Sequence, residues 1–222
     1  DASGVGDTAN PTYGRLYRPV VKVAYLIQFQ AFGTAPLGWH LVSLGLHLAC
    51  VLLAFGWLRD RLREDRPGGD PVRADLAAAA GALLFALHPT RVESVTWVSG
   101  STDLWMAFGV LAGLRVWDRS RGIAGALAAG ACFVLGALAK EAAVVVPFVL
   151  AADVLLRGAR PSSRARLAAI LGVMIAFLAL RFALLPPPVG AIAQGGAGNA
   201  VSRVLASVGH FAASTLWPWT PS

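Results

Sequence analysis

Long apolar stretches separated by short polar connections dominate this chain. The clearest stretch runs from Trp39 to Trp57, is nearly uncharged, and has an aromatic residue at each end. About 20 apolar residues in a helix cross the hydrocarbon core of a bilayer, and Trp is enriched at both membrane interfaces. The pattern predicts a transmembrane helix over residues 37–58.

Six further apolar stretches follow the same pattern. The predicted membrane helices cover residues 75–87, 104–117, 122–139, 142–157, 166–185 and 201–219. Proline marks two of their ends, because it cannot continue a helix and steers the preceding residue away from helical geometry. The second helix stops before His88-Pro89, and the sixth stops at the three prolines of 186–188. The predicted fold is all-α: a polytopic transmembrane bundle of about seven membrane helices.

Residues 1–36 are predicted to form a loop and an interfacial helix on the outward side. Residues 1–18 contain Gly and Asp and lack apolar periodicity, as loops do. In residues 19–33, Lys22, Gln28 and Gln30 interrupt the apolar positions, which favours a helix at the membrane surface over a full span. We expect a single membrane domain that is part of a longer protein.

The composition supports a membrane protein and changes the meaning of the charge. Hydrophobic residues make up 56% of the chain and charged residues 14%, whereas a soluble domain has about 25% charged residues. The net charge of +7 would suggest nucleic acid in a soluble chain. Here 12 of the 19 basic residues fall on every second connection, within 59–73, 115–121 and 157–166. The positive-inside rule assigns these connections to the cytoplasm, and no nucleic-acid partner is expected.

The remaining ionisable residues collect at the other, outward ends of the helices. They are Arg15, Arg18, Lys22, His40, His88, Arg91, Glu93, Asp103, Lys140, Glu141 and Arg181. Charged groups at membrane depth normally face a protein interior or a water-filled cavity. Their position predicts a pocket open to the extracytoplasmic side.

Two carboxylates in this set are candidate catalytic groups. Glu93 and Asp103 flank the sequence Trp97-Val98-Ser99-Gly100. A carboxylate can orient a hydroxyl nucleophile, remove its proton or bind a metal. The alternative is that each carboxylate pairs with Arg91 or Lys140 and only stabilises the loop.

Two cations are candidates for an anionic ligand. Lys140-Glu141 interrupts the apolar sequence 123–156, either as a local ion pair at a turn or because Lys140 faces an anion. Arg181 lies one turn before the triple proline. Its side chain either snorkels to the headgroups or binds a lipid phosphate, whose geometry suits a guanidinium.

No metal site is predicted. His40 and His47 lie seven residues apart on one helical face, where interior histidines that bond to neighbouring helices are the favoured interpretation. Cys50 and Cys132 each lie within an apolar stretch, which argues against a zinc site or a disulfide.

Several short motifs occur in an order that resembles a known family. They are Tyr17-Arg18-Pro19, Trp39-His40-Leu41-Val42-Ser43, His88-Pro89 followed by Glu93, Trp97-Val98-Ser99-Gly100 and Asp103, and Lys140-Glu141. The chain is similar here to the transmembrane and tetratricopeptide-repeat-containing O-mannosyltransferase family of GT-C glycosyltransferases. The most specific part runs from His88 to Asp103. Ser101 and Ser43 depart from the family pattern, which usually has Arg and Asn at these positions.

The resemblance implies an integral membrane enzyme, and we expect it in a bacterial-type inner membrane. It would move mannose or another hexose from a polyprenyl-phosphate carrier to a hydroxyl of a protein or glycan acceptor on the extracytoplasmic face. Glu93 and Asp103 would contact the acceptor or the sugar. The residues expected to bind the lipid-phosphate sugar are Arg18, His88, Lys140, Glu141 and Arg181.

The family pattern also implies parts that lie outside this chain. The main catalytic acid is expected in an outward loop before Tyr17-Arg18-Pro19, and tetratricopeptide repeats are expected downstream. No cofactor besides the lipid-linked donor is implied, and the need for a divalent metal stays open. Two other classes also stay open: a transporter or flippase of a lipid-linked or anionic solute, and a non-catalytic membrane scaffold of the same fold.

Overall fold

The computed structural model describes residues 18–65, 67–156 and 161–184, and this part of the chain consists of helices and short connections. The α-helices are α1 (Pro19–Phe32), α2 (Pro36–Asp65), α3 (Pro71–Leu87), α4 (Arg91–Thr96), α5 (Thr102–Arg119), α6 (Ile123–Ala139), α7 (Val146–Leu156) and α8 (Pro161–Leu184). Two 3₁₀ helices cover Val98–Ser101 and Glu141–Val145. The all-α prediction is confirmed for these residues, and the predicted helix 201–219 lies outside them.

Proline and capping residues explain several helix boundaries. Helices α1, α2, α3 and α8 begin at a proline, whose fixed φ suits the first helical position and whose missing N–H has no partner there. The Asp70 side chain accepts a hydrogen bond from the Val72 N–H at 2.9 Å and caps α3. Because of this cap, α3 begins four residues before the predicted start at residue 75. It ends at Leu87, as the His88-Pro89 dipeptide predicts.

Helix α2 extends beyond the predicted boundary at residue 58 and reaches Asp65. Residues 59–65 therefore form a helical extension, where the sequence predicted a solvated loop. Ion pairs hold the extension: Arg59 and Arg63 both contact the carboxylate of Asp75 in α3. Charged side chains end an apolar segment without ending a helix, since Arg and Glu are good helix formers.

The core lies where α5, α6, α7 and α8 pack together. Its large buried side chains are Trp117, Phe133, Leu150, Ile170 and Met174. Helices α5 and α6 approach closely at Gly109, where an added Cβ would lie 2.7 Å from the Gly136 nitrogen. The small residues at this contact let two backbones pack without intervening side chains.

The two predicted sets of connections lie at opposite ends of the bundle. At one end, called the basic end, Arg61 of α2 contacts Asp118 of α5 and Asp153 of α7. At the other, called the site end, Arg18 contacts Glu141, and Lys140 contacts Asp103. The structure thus reproduces the alternation of connections, and their assignment to the two sides of a membrane stays a prediction.

Two helices among the described residues are long and apolar enough to cross a membrane. They are Pro36–Asp65 and Ser162–Leu184. Helix α6 is also apolar but has 17 residues. Membrane crossing by the other predicted spans, and hence the count of seven, stays a prediction.

Candidate functional site

Helix α1 lies across the site end of the bundle. Just before it, Arg18 Nη2 donates to Glu141 Oε1 at 3.1 Å. In its middle, Tyr25 Oη donates to the Val98 carbonyl at 2.6 Å. At its end, the Gly33 carbonyl accepts a hydrogen bond from Trp39 Nε1 at 3.0 Å. Since all three contacts are with helix ends or connections of the site end, α1 runs along this end, consistent with the predicted interfacial helix.

Asp103 and Lys140 form an ion pair at the site end. Asp103 lies in the first turn of α5, and Lys140 directly follows α6. Both side chains are about one-third exposed. The contact is the pairing with Lys140 that the loop-stabilising alternative expects, and the catalytic role of Asp103 stays a prediction. This carboxylate already has a cation as its partner.

Lys140 and Glu141 do not form the local ion pair considered from the sequence. Lys140 has an extended backbone, with φ −154° and ψ 130°. Neighbouring side chains point to opposite sides of an extended segment. Lys140 therefore reaches Asp103 while Glu141 reaches Arg18.

Arg18, Glu141 and Arg181 form a second charged group. Burial opposes ionisation of Glu141, but hydrogen bonds from its backbone and Arg18, with the charges of Arg18 and Arg181, lower its pKa below the ordinary value. Arg181 lies in the last turn of α8, and its charge is close enough to Glu141 to lower the pKa of that carboxylate. Arg18 Nε is buried and has no hydrogen-bond partner in the described part of the chain. Arg18 thus keeps a donor that Glu141 does not use.

Glu93 differs from the other two carboxylates. It lies exposed in the first turn of α4. Within the described ranges, its carboxylate makes no ion pair, and the Arg91 guanidinium lies instead over the Phe85 ring, 5.4 Å from its centre. Of the two predicted catalytic carboxylates, Glu93 is the one without a cationic partner.

The histidines have interior or local contacts. His88 Nδ1 lies 2.8 Å from Thr90 Oγ1, at the connection between α3 and α4. His47 is buried, lies 3.3 Å from the Ala86 carbonyl and stacks on Phe85, as predicted for an interior histidine, whereas His40 is exposed. The described residues contain no group of three His, Cys, Asp or Glu side chains suited to a metal.

Tyr25 is the residue of the site end that the sequence interpretation missed. Its hydroxyl also lies 3.0 Å from Ser101 Oγ, and its ring meets Trp39 edge-on, with ring centres 5.7 Å apart. The sequence did contain one indication of this role: Tyr25 lies four residues after Val21, next to the buried face of α1. A tyrosine there needs a partner for its hydroxyl.

The site end therefore unites cations and carboxylates from distant parts of the chain. Ion pairs join Arg18 to Glu141 and Lys140 to Asp103, and the charge of Arg181 acts on Glu141. Glu93 lies at the same end, on α4, and takes part in none of these contacts. Such a group can bind an anion through the arginines and the lysine and orient a hydroxyl through a carboxylate. A cavity of about 370 Å³ lies elsewhere, beside Arg63 and Arg73 at the connection between α2 and α3.

Comparison of the sequence with curated proteins finds relatives that are named as O-mannosyl-transferases. The chain is 27% identical over 150 residues to the protein O-mannosyl-transferase Tmtc3 of Drosophila melanogaster, which covers 59% of this chain and 16% of that protein. It is 33% identical over 100 residues to TMTC4 of Homo sapiens, covering 43% of this chain and 14% of that protein. The match to the protein O-mannosyl-transferase F38B6.6 of Caenorhabditis elegans is 27% identical over 163 residues, covering 73% of this chain and 22% of that protein.

These matches confirm the resemblance to O-mannosyltransferases of the transmembrane and tetratricopeptide-repeat-containing type. The chain spans less than a quarter of the length of each of these relatives. No protein-family model matches the chain. No solved structure matches it either.

Proposed function

We propose that this chain is part of the membrane domain of a glycosyltransferase that uses a polyprenyl-phosphate sugar. The reaction moves mannose or another hexose to a hydroxyl of a protein or glycan acceptor on the extracytoplasmic side. The observation that carries the proposal is the site end, where Arg18, Lys140 and Arg181 gather beside carboxylates. The similarity to proteins named O-mannosyl-transferases supports the same reaction class.

The charged groups suit the two halves of this transfer. The acceptor oxygen forms a bond to the anomeric carbon, and the bond from that carbon to the phosphate oxygen breaks. The guanidinium charges of Arg18 and Arg181 stabilise the negative charge that develops on the departing lipid phosphate. His88 and Glu141 complete the donor site, Glu141 by holding Arg18 in place.

Glu93 suits the acceptor hydroxyl better than Asp103 does. A carboxylate that is not bound to a cation has both oxygens available to accept a hydrogen bond from a hydroxyl. Glu93 meets this condition, whereas Asp103 pairs with Lys140. We assign Glu93 the role of orienting or deprotonating the acceptor hydroxyl, together with the acid expected in the preceding loop. Asp103 keeps Lys140 in position beside the sugar phosphate.

The charge distribution favours an enzyme over a transporter. A transport path would continue through the midplane with ionisable groups and broken helices. In the described helices that make up the bundle, the charged residues lie within the first or last few turns. A one-sided site fits this arrangement.

The proposal is tested by transfer from polyprenyl-phosphate mannose to an acceptor peptide with the purified full-length protein. Glu93→Gln and Arg181→Ala are expected to lower the rate by about 100-fold or more, the usual size of a lost general base or charge-stabilising group. Glu64→Gln and Arg121→Ala remove the same charges at the basic end and serve as controls that keep wild-type activity. Full transfer by both test variants would overturn the residue roles, and no transfer by the wild type would overturn the function.

A further inference from the structure

Tyr25 links helix α1 to the segment that joins α4 to α5. Its hydroxyl lies 2.6 Å from the Val98 carbonyl oxygen and 3.0 Å from Ser101 Oγ. These partners lie more than 70 residues further along the chain. The contact therefore belongs to the tertiary structure and not to local helix geometry.

The directions of the two hydrogen bonds follow from their chemistry. A carbonyl oxygen only accepts, and a phenol has one proton to donate. Tyr25 thus donates to Val98, so the remaining bond requires Ser101 to donate to Tyr25. Ser101 is 4% exposed, so without Tyr25 its hydroxyl would lose this partner in a place that water hardly reaches.

The position of this contact connects it to the proposed chemistry. Val98–Ser101 is the 3₁₀ helix that follows α4, which carries Glu93, and precedes α5, which carries Asp103. Gly100 in this segment packs against the Glu93 carbonyl, since an added Cβ would lie 2.8 Å from that oxygen. Movement of Val98–Ser101 would shift both carboxylates.

Helix α1 is itself anchored on both sides of Tyr25. Arg18 pairs with Glu141 at one end, and the Trp39 indole donates to Gly33 at the other while its ring meets that of Tyr25. The Tyr25 side chain therefore extends from a helix that is held by contacts at both of its ends. A support of this kind restricts Val98–Ser101 more than a bond within that segment would.

We propose that Tyr25 is a positioning residue that holds Val98–Ser101 against α1 and so places Glu93 and Asp103 for sugar transfer. The inference rests on the proposed function for its effect on activity. The attachment of the segment to α1 is independent of that function and is measured separately.

The test compares Tyr25→Phe with Thr96→Val in the purified full-length protein. Tyr25→Phe removes both hydrogen bonds and keeps the ring, whereas Thr96→Val removes a hydroxyl bond to the Val92 carbonyl that stays within α4. We expect amide hydrogen exchange at Val98–Ser101 to accelerate about tenfold in Tyr25→Phe only. Unchanged exchange in Tyr25→Phe would overturn the attachment, whatever the activity.

The kinetic measurement separates positioning from a purely structural role. We expect Tyr25→Phe to lower kcat by roughly 10- to 100-fold with little change in the KM for the lipid-linked donor. Faster exchange with an unchanged kcat would overturn the positioning role. If the wild type shows no transfer, the proposed function and the role of Tyr25 in it both fail, and the exchange data alone decide whether the attachment exists.

A double-mutant cycle addresses loss of folding. Ser101→Ala removes the hydroxyl that donates to Tyr25, and Tyr25→Phe with Ser101→Ala removes both members of the pair. The double variant is expected to be at least as stable as Tyr25→Phe alone, because the second change removes a buried hydroxyl that has already lost its partner. Additive losses would contradict the pairing.

Discussion

Lys140 pairs with Asp103, and this contact ties the end of α6 to the first turn of α5 across 37 residues of sequence. Each was a candidate functional residue on its own. Because they pair, Lys140 occupies an oxygen of the Asp103 carboxylate, and Lys140 is held in one orientation at the site end. The contact is the reason why we propose Glu93 for the acceptor hydroxyl, and it leaves Lys140 as a fixed cation.

A charge swap separates the structural and functional roles of this pair. Lys140→Met is expected to lower both thermal stability and sugar transfer, since it leaves the partly buried Asp103 unpaired. The swap of Lys140→Asp with Asp103→Lys is expected to recover stability but not transfer, because the cation then lies on α5. Differential scanning fluorimetry and the transfer assay measure the two effects. Recovery of transfer by the swap would show that the pair is only structural.

The Arg18–Glu141 pair predicts a pH dependence. The pKa of Glu141 is lowered from the ordinary 4.5, so its ionised form is favoured in the folded protein. The pair therefore contributes stability above about pH 4.5, and the contribution disappears as the pH falls through the lowered pKa. Glu141→Gln is expected to lower the melting temperature at pH 6, and its difference from the wild type is expected to shrink as the pH falls to about 3. Because the Glu141 side chain is about half exposed, the difference is small, and an equal difference at both pH values would contradict the prediction.

Arg61 is expected to be a major stabilising residue of the basic end. It contacts Asp118 at 2.7 Å and Asp153 at 3.1 Å, and the side chains of Arg61 and Asp118 are 14% and 9% exposed. Removing one member of a buried pair leaves an uncompensated charge and costs about 3–5 kcal/mol. Arg61→Met is expected to lose this amount in denaturant unfolding. Arg164→Met, an exposed arginine of α8, is the matched control, and equal losses in the two variants would contradict the assignment.

Replacement by alanine is expected to have opposite effects at two glycines. Gly109 lies at the close contact between α5 and α6, whereas Gly172 lies in α8, away from that contact. Gly109→Ala would place a methyl group 2.7 Å from the Gly136 nitrogen, where backbone must move, and is expected to cost about 1–3 kcal/mol. Gly172→Ala meets nothing within 4 Å among residues 18–65, 67–156 and 161–184 and lies inside α8, so it is expected to stabilise by about 0.5–1 kcal/mol. Thermal unfolding measures both. A neutral Gly109→Ala would show that the helices do not approach this closely.

Cysteine labelling tests the orientation in the membrane. In a background with Cys50→Ala and Cys132→Ala, we expect Thr90→Cys at the site end to react with an impermeant maleimide in intact cells. Arg121→Cys at the basic end is expected to react only after the membrane is opened, because the positive-inside rule places it in the cytoplasm. Both positions are exposed. Labelling of both from one side would contradict the predicted topology.

Helix positions followed well from the sequence, whereas contacts did not. The apolar stretches and prolines located the ends of α3 and α6 closely, because local sterics and periodicity act within a few residues. The extension of α2 to Asp65 was missed because its stability comes from partners on α3, α5 and α7. The charged residues show where an apolar stretch ends, but the sequence does not show which distant carboxylate each arginine will pair with.

The same division applies to the site. The sequence by itself determined that the chain is helical, that its charges alternate between two sets of connections, and that Glu93, Asp103, Lys140, Glu141 and Arg181 belong to one set. Periodicity and charge order are properties of neighbouring residues, so they can be read along the chain. Only the tertiary structure decided that Lys140 meets Asp103, that Glu141 meets Arg18, and that Tyr25 holds Val98–Ser101. These pairings depend on how the helices pack, which brings residues from separate helices to the same end of the bundle.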